Sequence, residues 1–282
     1  MKGVIAGKPG IAEIVEFPDP KLAPGEVLLS SLACGICSTD VKAIQKGADG
    51  SHFALGHELV GTIIETGPES SWQPGARVVA APYLPCGVCT FCFHNQPTLC
   101  TQLFQSHLDP GGLAERVRIP RDLAQRGLLP VPDSLPDEVA SLAEPMGCVI
   151  KGTEDCQLKA GDSLLVVGDG PMGVLGAAVG RAMGAYPVIV AGMTPHRLKV
   201  AQEHYADFII DIRQEPLVPA VKRYTAGLGA DCVLAAVSSG EALASAIDSV
   251  RPGGVVNAFA GVPEGTTIPL DVRRLHYQQI HL

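Results

Sequence analysis

The chain has 282 residues, 46% of them hydrophobic, and a formal net charge of −8. That length provides one or two domains with sizeable cores. The acidic balance argues against a nucleic-acid partner, which would want a basic face, and no apolar run is long enough to span a membrane. The opening MKGVIAGKPG contains no signal-peptide core, so a cytoplasmic protein is expected. Nine cysteines are present, an odd number; six fall in two tight groups, and Cys148, Cys156 and Cys232 are scattered. In a cytoplasmic chain that pattern reads as metal binding, not as a disulfide framework.

Residues 4–6 and 11–17 alternate like antiparallel strands around a Lys8-Pro9-Gly10 turn. A further strand starts at 25–30 and runs into A-C-G-I-C-S-T-D at 33–40. G-H-E-L-V-G follows at 56–61, then strands at 60–66 and 77–81 with Gly and Pro between them. This half is mostly β. Within it Cys37, His57 and Glu58 are chemically suggestive. A thiolate and an imidazole are good zinc ligands, and a catalytic zinc keeps one position open. Thr39 offers a hydroxyl that can pass on a substrate proton.

Cys86, Cys89, Cys92 and Cys100 follow at C-x2-C-x2-C-x7-C spacing. Four thiolates on one short loop suit a closed tetrahedral zinc site that stabilises its lobe. Between residues 82 and 99 there is no Lys or Arg, which argues against a nucleic-acid-binding zinc module. Residues 111–120 read as a turn and strand, and 130–136 as a proline-stiffened linker. Residues 137–153 are helical in pattern, with 134–137 as a cap and a bend at Pro145. Glu144 has apolar flanks, a setting in which a carboxylate wants a partner.

Beyond 151 the pattern alternates. Strands are predicted at 164–167, 187–191, 208–210, 232–236 and 255–260, with helices at 172–184, 195–205, 216–225 and 240–250 between them. Arg251-Pro252-Gly253-Gly254 is expected to end the last helix. Such alternation means a doubly wound parallel sheet. G-D-G-P-M-G at 168–173 lies between the first strand and its helix, which is the context a dinucleotide fingerprint requires. Gly168 would permit the tight turn, Gly170 the approach of a pyrophosphate, and Gly173 close packing of the helix. Met172 lies on the helix N-terminus that faces the phosphates. The acidic residue that would bind the ribose hydroxyls of NAD corresponds to Gly192. With no carboxylate there, and with Thr194, His196 and Arg197 nearby, the sequence tilts towards NADP over NAD.

G-I-C-S-T-D, G-H-E-L-V-G, the four-cysteine lobe, Glu144-Pro145 and G-D-G-P-M-G occur in this order along nearly the whole chain. In this the chain resembles the zinc-containing medium-chain alcohol dehydrogenases, especially the polyol (sorbitol-like) and threonine dehydrogenase branches. The resemblance implies an α/β protein, with a mostly β, GroES-like catalytic domain over 1–150 and a Rossmann domain over 151–282. It implies one catalytic zinc held by Cys37, His57 and Glu144, with Glu58 ligating directly or exchanging with water. Cys148 is the alternative to Glu144. A structural zinc would occupy the cysteine lobe. Thr39 would relay the substrate proton and Asp40 would support the zinc ligands from behind. The next relay position, often histidine, is Lys42. The activity implied is hydride transfer between a secondary alcohol (a polyol or sugar derivative) and NAD(P), the alternative being a non-catalytic NAD(P)-binding member of the fold. A homodimer or homotetramer is expected through residues 263–275. Residues 277–282 look like the start of a last strand, with a further segment expected beyond them.

Overall fold

Short apolar runs, punctuated by Gly and Pro, fold the N-terminal part of the chain as β-structure. The computed structural model describes residues 1–47 and 54–282. The chain divides into two units, Met1–Pro145 and Met146–Leu282. In the first, β1 (Lys2–Ala6) and β2 (Ala12–Glu16) pair as an antiparallel hairpin. β3 (Val27–Gly35), β4 (Glu58–Thr66), β5 (Arg77–Ala80), β6 (Arg116–Ile119) and β7 (Leu128–Pro130) form a second sheet. Its order is β6-β3-β4-β5-β7 and every pair is antiparallel. Val27, Leu29, Ile63, Val78, Val117 and Ile119 are fully buried in its core, each burial contributing about 1.5–3 kcal/mol relative to exposure. The connections carry α1 (Ser38–Lys46), α2 (Thr90–Phe93), α3 (Arg121–Arg126) and α4 (Asp137–Ala140).

The single helix predicted over 137–153 is two helices. α5 (Ala143–Asp155) starts after a break at 141–142, and Pro145 lies in its first turn. There the missing N–H has no intrahelical partner to lose, so the proline begins a helix and does not bend one. Pro136 occupies the N-cap position of α4 without a side-chain cap bond. The expected cap residue Asp137 instead accepts a hydrogen bond from Arg77 Nη1 at 2.9 Å.

In the second unit β8 (Leu164–Val167), β9 (Val188–Gly192), β10 (Phe208–Asp211), β11 (Ala230–Ala235) and β12 (Val250–Asn257) are all parallel, in the order β10-β9-β8-β11-β12. The helices are α6 (Pro171–Ala182), α7 (Pro195–His204), α8 (Leu217–Tyr224), α9 (Gly240–Asp248) and α10 (Val272–Gln278). Successive strand residues face opposite sides. Leu165, Val167, Ile189 and Val233 pack with Ala220 and Val221 of α8 and with Ala246 and Ile247 of α9. Leu164, Val166, Val190 and Leu234 pack with Ala177 of α6 and with Leu198 and Ala201 of α7. With both faces covered, the strands are apolar at every position, which is why they read as continuous hydrophobic runs. The sheet order reverses beside β8, and a crevice opens there at the carboxyl ends of the strands.

Two boundaries differ from expectation. Residues 251–254 lie inside β12 and not between helix and strand; the register with β11 shifts between Ala230 and Cys232, which accommodates Pro252. Of the strand expected over 277–282, residues 277–278 end α10, and only His281 bridges, in parallel, to Val255. Among the described residues no helix is long and apolar enough to cross a membrane.

Leu234 is fully buried on β11. Its methyl groups occupy the space left by Gly152 on α5 and Gly176 on α6, where an added Cβ would meet them at 3.4 and 2.7 Å. Leu234→Ala therefore opens a cavity, and its expected cost is about 2–5 kcal/mol. Urea unfolding followed by circular dichroism measures this; a loss below about 1 kcal/mol would mean that the helices collapse into the gap.

Candidate functional site

In the first unit the site is built at the end of β3 and the start of β4. These strands pair so that Gly35 lies opposite Glu58. Cys37 follows as the N-cap of α1, in extended conformation. Asp40, at the third helical position, accepts the Cys37 N–H through Oδ2 at 2.9 Å. Its other oxygen, Oδ1, accepts the N–H of Gly56 at 2.9 Å and lies 3.9 Å from His57 Nδ1. One buried carboxylate thus ties the loop before α1 to the loop before β4. An acid at this position of a helix N-terminus also suits the dipole.

The result is convergence. One ligand atom each from Cys37, His57 and Glu58 lie within 4.8 Å of one another. Glu58 is 8% exposed, and its carboxylate lies over Gly35, where a Cβ would stand 1.8 Å from Oε2. Burial raises the Glu58 pKa, the charges of Glu144 and Asp40 raise it further, and only His57 opposes them. Glu144 stands outside the three-residue cluster but close enough for its charge to be felt. Buried carboxylates that oppose one another's ionisation beside a thiol and an imidazole fit a divalent cation, which relieves the repulsion. Cys34 plays a different part: burial pushes its thiol up to about 12. It remains a neutral packing group that donates to the Gly35 carbonyl at 3.5 Å. Cys148, one turn beyond Glu144 on α5, is exposed.

Thr39 and His57 line a cavity of about 440 Å³ together with Tyr83, Phe104, His107 and Leu108. Tyr83 meets Phe104 edge to face, with ring centroids 4.9 Å apart. The sequence reading did not assign these four residues, since each lies in a loop with no motif around it.

The four-cysteine loop also converges. Ligand atoms of Cys86, Cys89, Cys92 and Cys100 lie within 4.8 Å of one another. The Cys89 and Cys92 sulfurs are 3.5 Å apart, and those of Cys86 and Cys92 4.0 Å. Tetrahedral zinc with bonds of about 2.3 Å requires sulfurs about 3.8 Å apart, so the loop fits that ion. Backbone N–H groups point at the sulfurs: Cys86 and Gln102 donate to Cys100 at 3.3 and 3.4 Å, and Val88 donates to Cys86 at 3.5 Å. The N–H of Cys92 draws the Cys89 thiol down to about 6, and that of Cys86 lowers Cys100. Desolvation pushes Cys92 up to about 11.

In the second unit Gly168, at the end of β8, has φ +124°, which only glycine adopts without strain. A Cβ on Gly173 would stand 1.9 Å from the Gly168 carbonyl oxygen. Gly170 is the N-cap of α6, and a Cβ there would meet nothing within 4 Å. The first-turn N–H groups of Met172 and Gly173 have no acceptor one turn earlier in their own helix. An open cradle at a helix N-terminus fits a pyrophosphate. Beside it lies a cavity of about 640 Å³ lined by Gly168, Asp169, Gly192, Met193, Val237 and Glu241, among others. Thr194 occupies the N-cap position of α7 without a side-chain cap bond, and His196 and Arg197 lie exposed in its first turn. None of these three lines the cavity.

The expectation that no carboxylate stands at this end of β9 is corrected by the structure. Asp169 reaches across from the glycine turn and accepts the N–H groups of Met193 and Thr194 through Oδ2, at 3.0 and 2.6 Å. The signal was visible inside G-D-G-P-M-G, but its proximity to Gly192 is a tertiary fact.

Comparison with known proteins agrees with this geometry. Residues 23–133 match the alcohol dehydrogenase GroES-like domain, and 171–282 match the zinc-binding dehydrogenase domain. L-Threonine 3-dehydrogenase of Thermococcus kodakarensis is 34% identical over 277 residues, which cover 95% of this chain and 77% of that protein. Sorbitol dehydrogenase of Bacillus subtilis is 31% identical over 280 residues, 96% of this chain and 78% of that protein. A zinc-binding dehydrogenase from Sinorhizobium meliloti, crystallised with NADP, superposes with TM-score 0.90 at 26% identity, covering 99% of this chain and 82% of that one.

The lobe yields a test on chelator-stripped protein. A pKa lowered to about 6 means that Cys89 is thiolate at neutral pH, whereas burial raises Cys156 and Cys232 to about 12. Alkylation of Cys89 by iodoacetamide is expected to rise as pH passes about 6, then level off, at rates at least about tenfold above those of the two buried thiols. Peptide mass spectrometry follows each site, and a Cys89 rate that rises only near pH 9 would remove the charge assignment.

Proposed function

The chain belongs to the zinc-containing medium-chain alcohol dehydrogenase family, and from that premise we propose that it oxidises a secondary alcohol, with NAD or NADP as hydride acceptor. The observation that carries this reading is the convergence of Cys37, His57 and Glu58 beside the cavity that Thr39 lines. Cys37, His57 and Glu58, with Glu144 nearby, would hold a zinc ion that supplies Lewis acidity to the substrate oxygen, while the dinucleotide supplies the hydride acceptor.

The remaining work falls to side chains. Thr39 would accept the hydroxyl proton of the substrate and pass it to solvent, and the substrate C–H would leave as hydride to the nicotinamide. Asp40, with both oxygens on backbone N–H groups, would fix the positions of Cys37 and His57. Cys86, Cys89, Cys92 and Cys100 would hold a second zinc that staples a loop with little core of its own. The glycine turn and the first turn of α6 would receive the pyrophosphate.

The substrate class we favour is a small alcohol carrying further polar groups, a polyol or sugar derivative. His107 and Tyr83 are polar residues among those that line the cavity. The named relatives act on threonine and sorbitol, both of which carry a hydroxyl flanked by polar neighbours. The exposed 263–275 stretch is the contact surface proposed for a homodimer or homotetramer. None of the described cysteines is joined in a disulfide, which suits the reducing compartment we propose, the cytoplasm.

Cys37→Ala is expected to lower kcat by about a thousandfold or more and to remove one of two zinc ions per chain, with the circular dichroism spectrum unchanged. Elemental analysis and an alcohol panel run with both cofactors measure these together. Full turnover by the variant would sink the mechanism, and a single zinc in the unmodified protein would mean that the Cys37 site does not bind the ion.

A further inference from the structure

The carboxylate at the end of β9 has a consequence for cofactor choice, resting on the dinucleotide reading above. A Cβ built on Gly192 would stand 2.4 Å from both Cβ and Cγ of Asp169 and 2.5 Å from its Oδ2. The Asp169 side chain therefore fills the volume that a side chain at 192 would take. In a dinucleotide fold an acid at the end of the second strand accepts the adenosine ribose hydroxyls. Here that strand ends in glycine, and the acid enters from the turn after the first strand instead. Both backbone hydrogen bonds to Asp169 fall on Oδ2, which fixes the group and leaves Oδ1 for a ribose hydroxyl.

The surroundings do not neutralise it. The lining of the adjoining cavity includes Asp169 and Glu241 and no Lys, Arg or His. The guanidinium of Arg213 feels the charge of Asp169, but it is already paired with Asp211, Nε to Oδ1 at 2.9 Å and Nη2 to Oδ2 at 2.5 Å. Asp169, Asp211 and Arg213 together carry a net negative charge. We infer that Asp169, standing in for the missing side chain of Gly192, is the specificity-determining residue that accepts the adenosine ribose hydroxyls and disfavours a 2′-phosphate, so that the chain selects NAD over NADP. The NADP tilt drawn from Gly192 alone rested on an open position, and this carboxylate fills it. Like charges brought together across an interface oppose binding strongly.

The test uses calorimetric binding of ADP-ribose and 2′-phospho-ADP-ribose, which differ only in that phosphate. The unmodified chain is expected to bind ADP-ribose about tenfold or more tightly. Asp169→Asn keeps the size and an acceptor oxygen for Met193 and Thr194 but removes the charge; it should bring the two affinities within about threefold of each other. The paired exchange Asp169→Gly with Gly192→Asp returns the acid to the strand and should restore the preference. It also carries the test if the Asn variant fails to melt cooperatively, and its loss of preference would then count against the inference. An unmodified chain that binds the phosphorylated probe as tightly or more tightly overturns the assignment. So does an Asn variant with an unchanged ratio, and in both cases the dinucleotide reading stands. Failure of the unmodified chain to bind either probe overturns that reading along with this one.

Discussion

Asp40 commits both carboxylate oxygens to backbone N–H groups, one at Cys37 and one at Gly56. Those two residues stand on different loops, one entering α1 and one entering β4. Without a tie between them, Cys37 and His57 would be fixed only by their own turns. With it, a thiol and an imidazole from separate loops become neighbours. The tie is strong because the acceptor is charged and buried, and it also places a negative charge 3.9 Å from His57 Nδ1. Glu58 is fixed differently, by strand pairing: Gly35 opposite it has no side chain, and the carboxylate takes that space.

The same device of aligning backbone donors at anionic side chains recurs in the cysteine lobe. Four thiols within 4.8 Å repel one another once ionised. N–H groups of Cys86, Val88 and Gln102 directed at sulfur offset part of that cost. In both places the fold gathers groups whose negative charges oppose one another. In the first site the pKa of Glu58 is raised first by burial and then by the charges of Glu144 and Asp40. Such gatherings cost folding energy unless a cation relieves them, which is the physical content of calling them metal centres.

What the sequence made legible was whatever chemistry it writes contiguously. The cysteine spacing, the glycine turn between β8 and α6, and the alternation that gives a parallel sheet are all local patterns. Two corrected expectations and one unassigned cavity lining have another cause, tertiary packing. Pro145 was read as a bend because the break at 141–142 leaves no punctuation, and only the helix start shows the proline in its tolerated first turn. Arg251-Pro252-Gly253-Gly254 looks like a helix stop because Pro and Gly break helices, yet the sheet absorbs these residues through a register shift. The lining of the Thr39 cavity, Tyr83, Phe104, His107 and Leu108, comes from loops whose approach is set by tertiary packing and by no spacing rule.

The pair Gly192 and Asp169 shows the limit most sharply. Position 192, read alone, is a lost acid. Position 169, read alone, is the unspecified residue between two fingerprint glycines. Neither observation constrains the other along the chain, because they are joined by parallel pairing of β8 with β9. That pairing brings the two strand ends side by side, so a side chain from one can occupy the volume vacated by the other. A fingerprint defined by sequence position therefore mistakes a relocated charge for an absent one. What a ligand meets is the position of the carboxylate in space, and in a doubly wound sheet two strand ends can supply it.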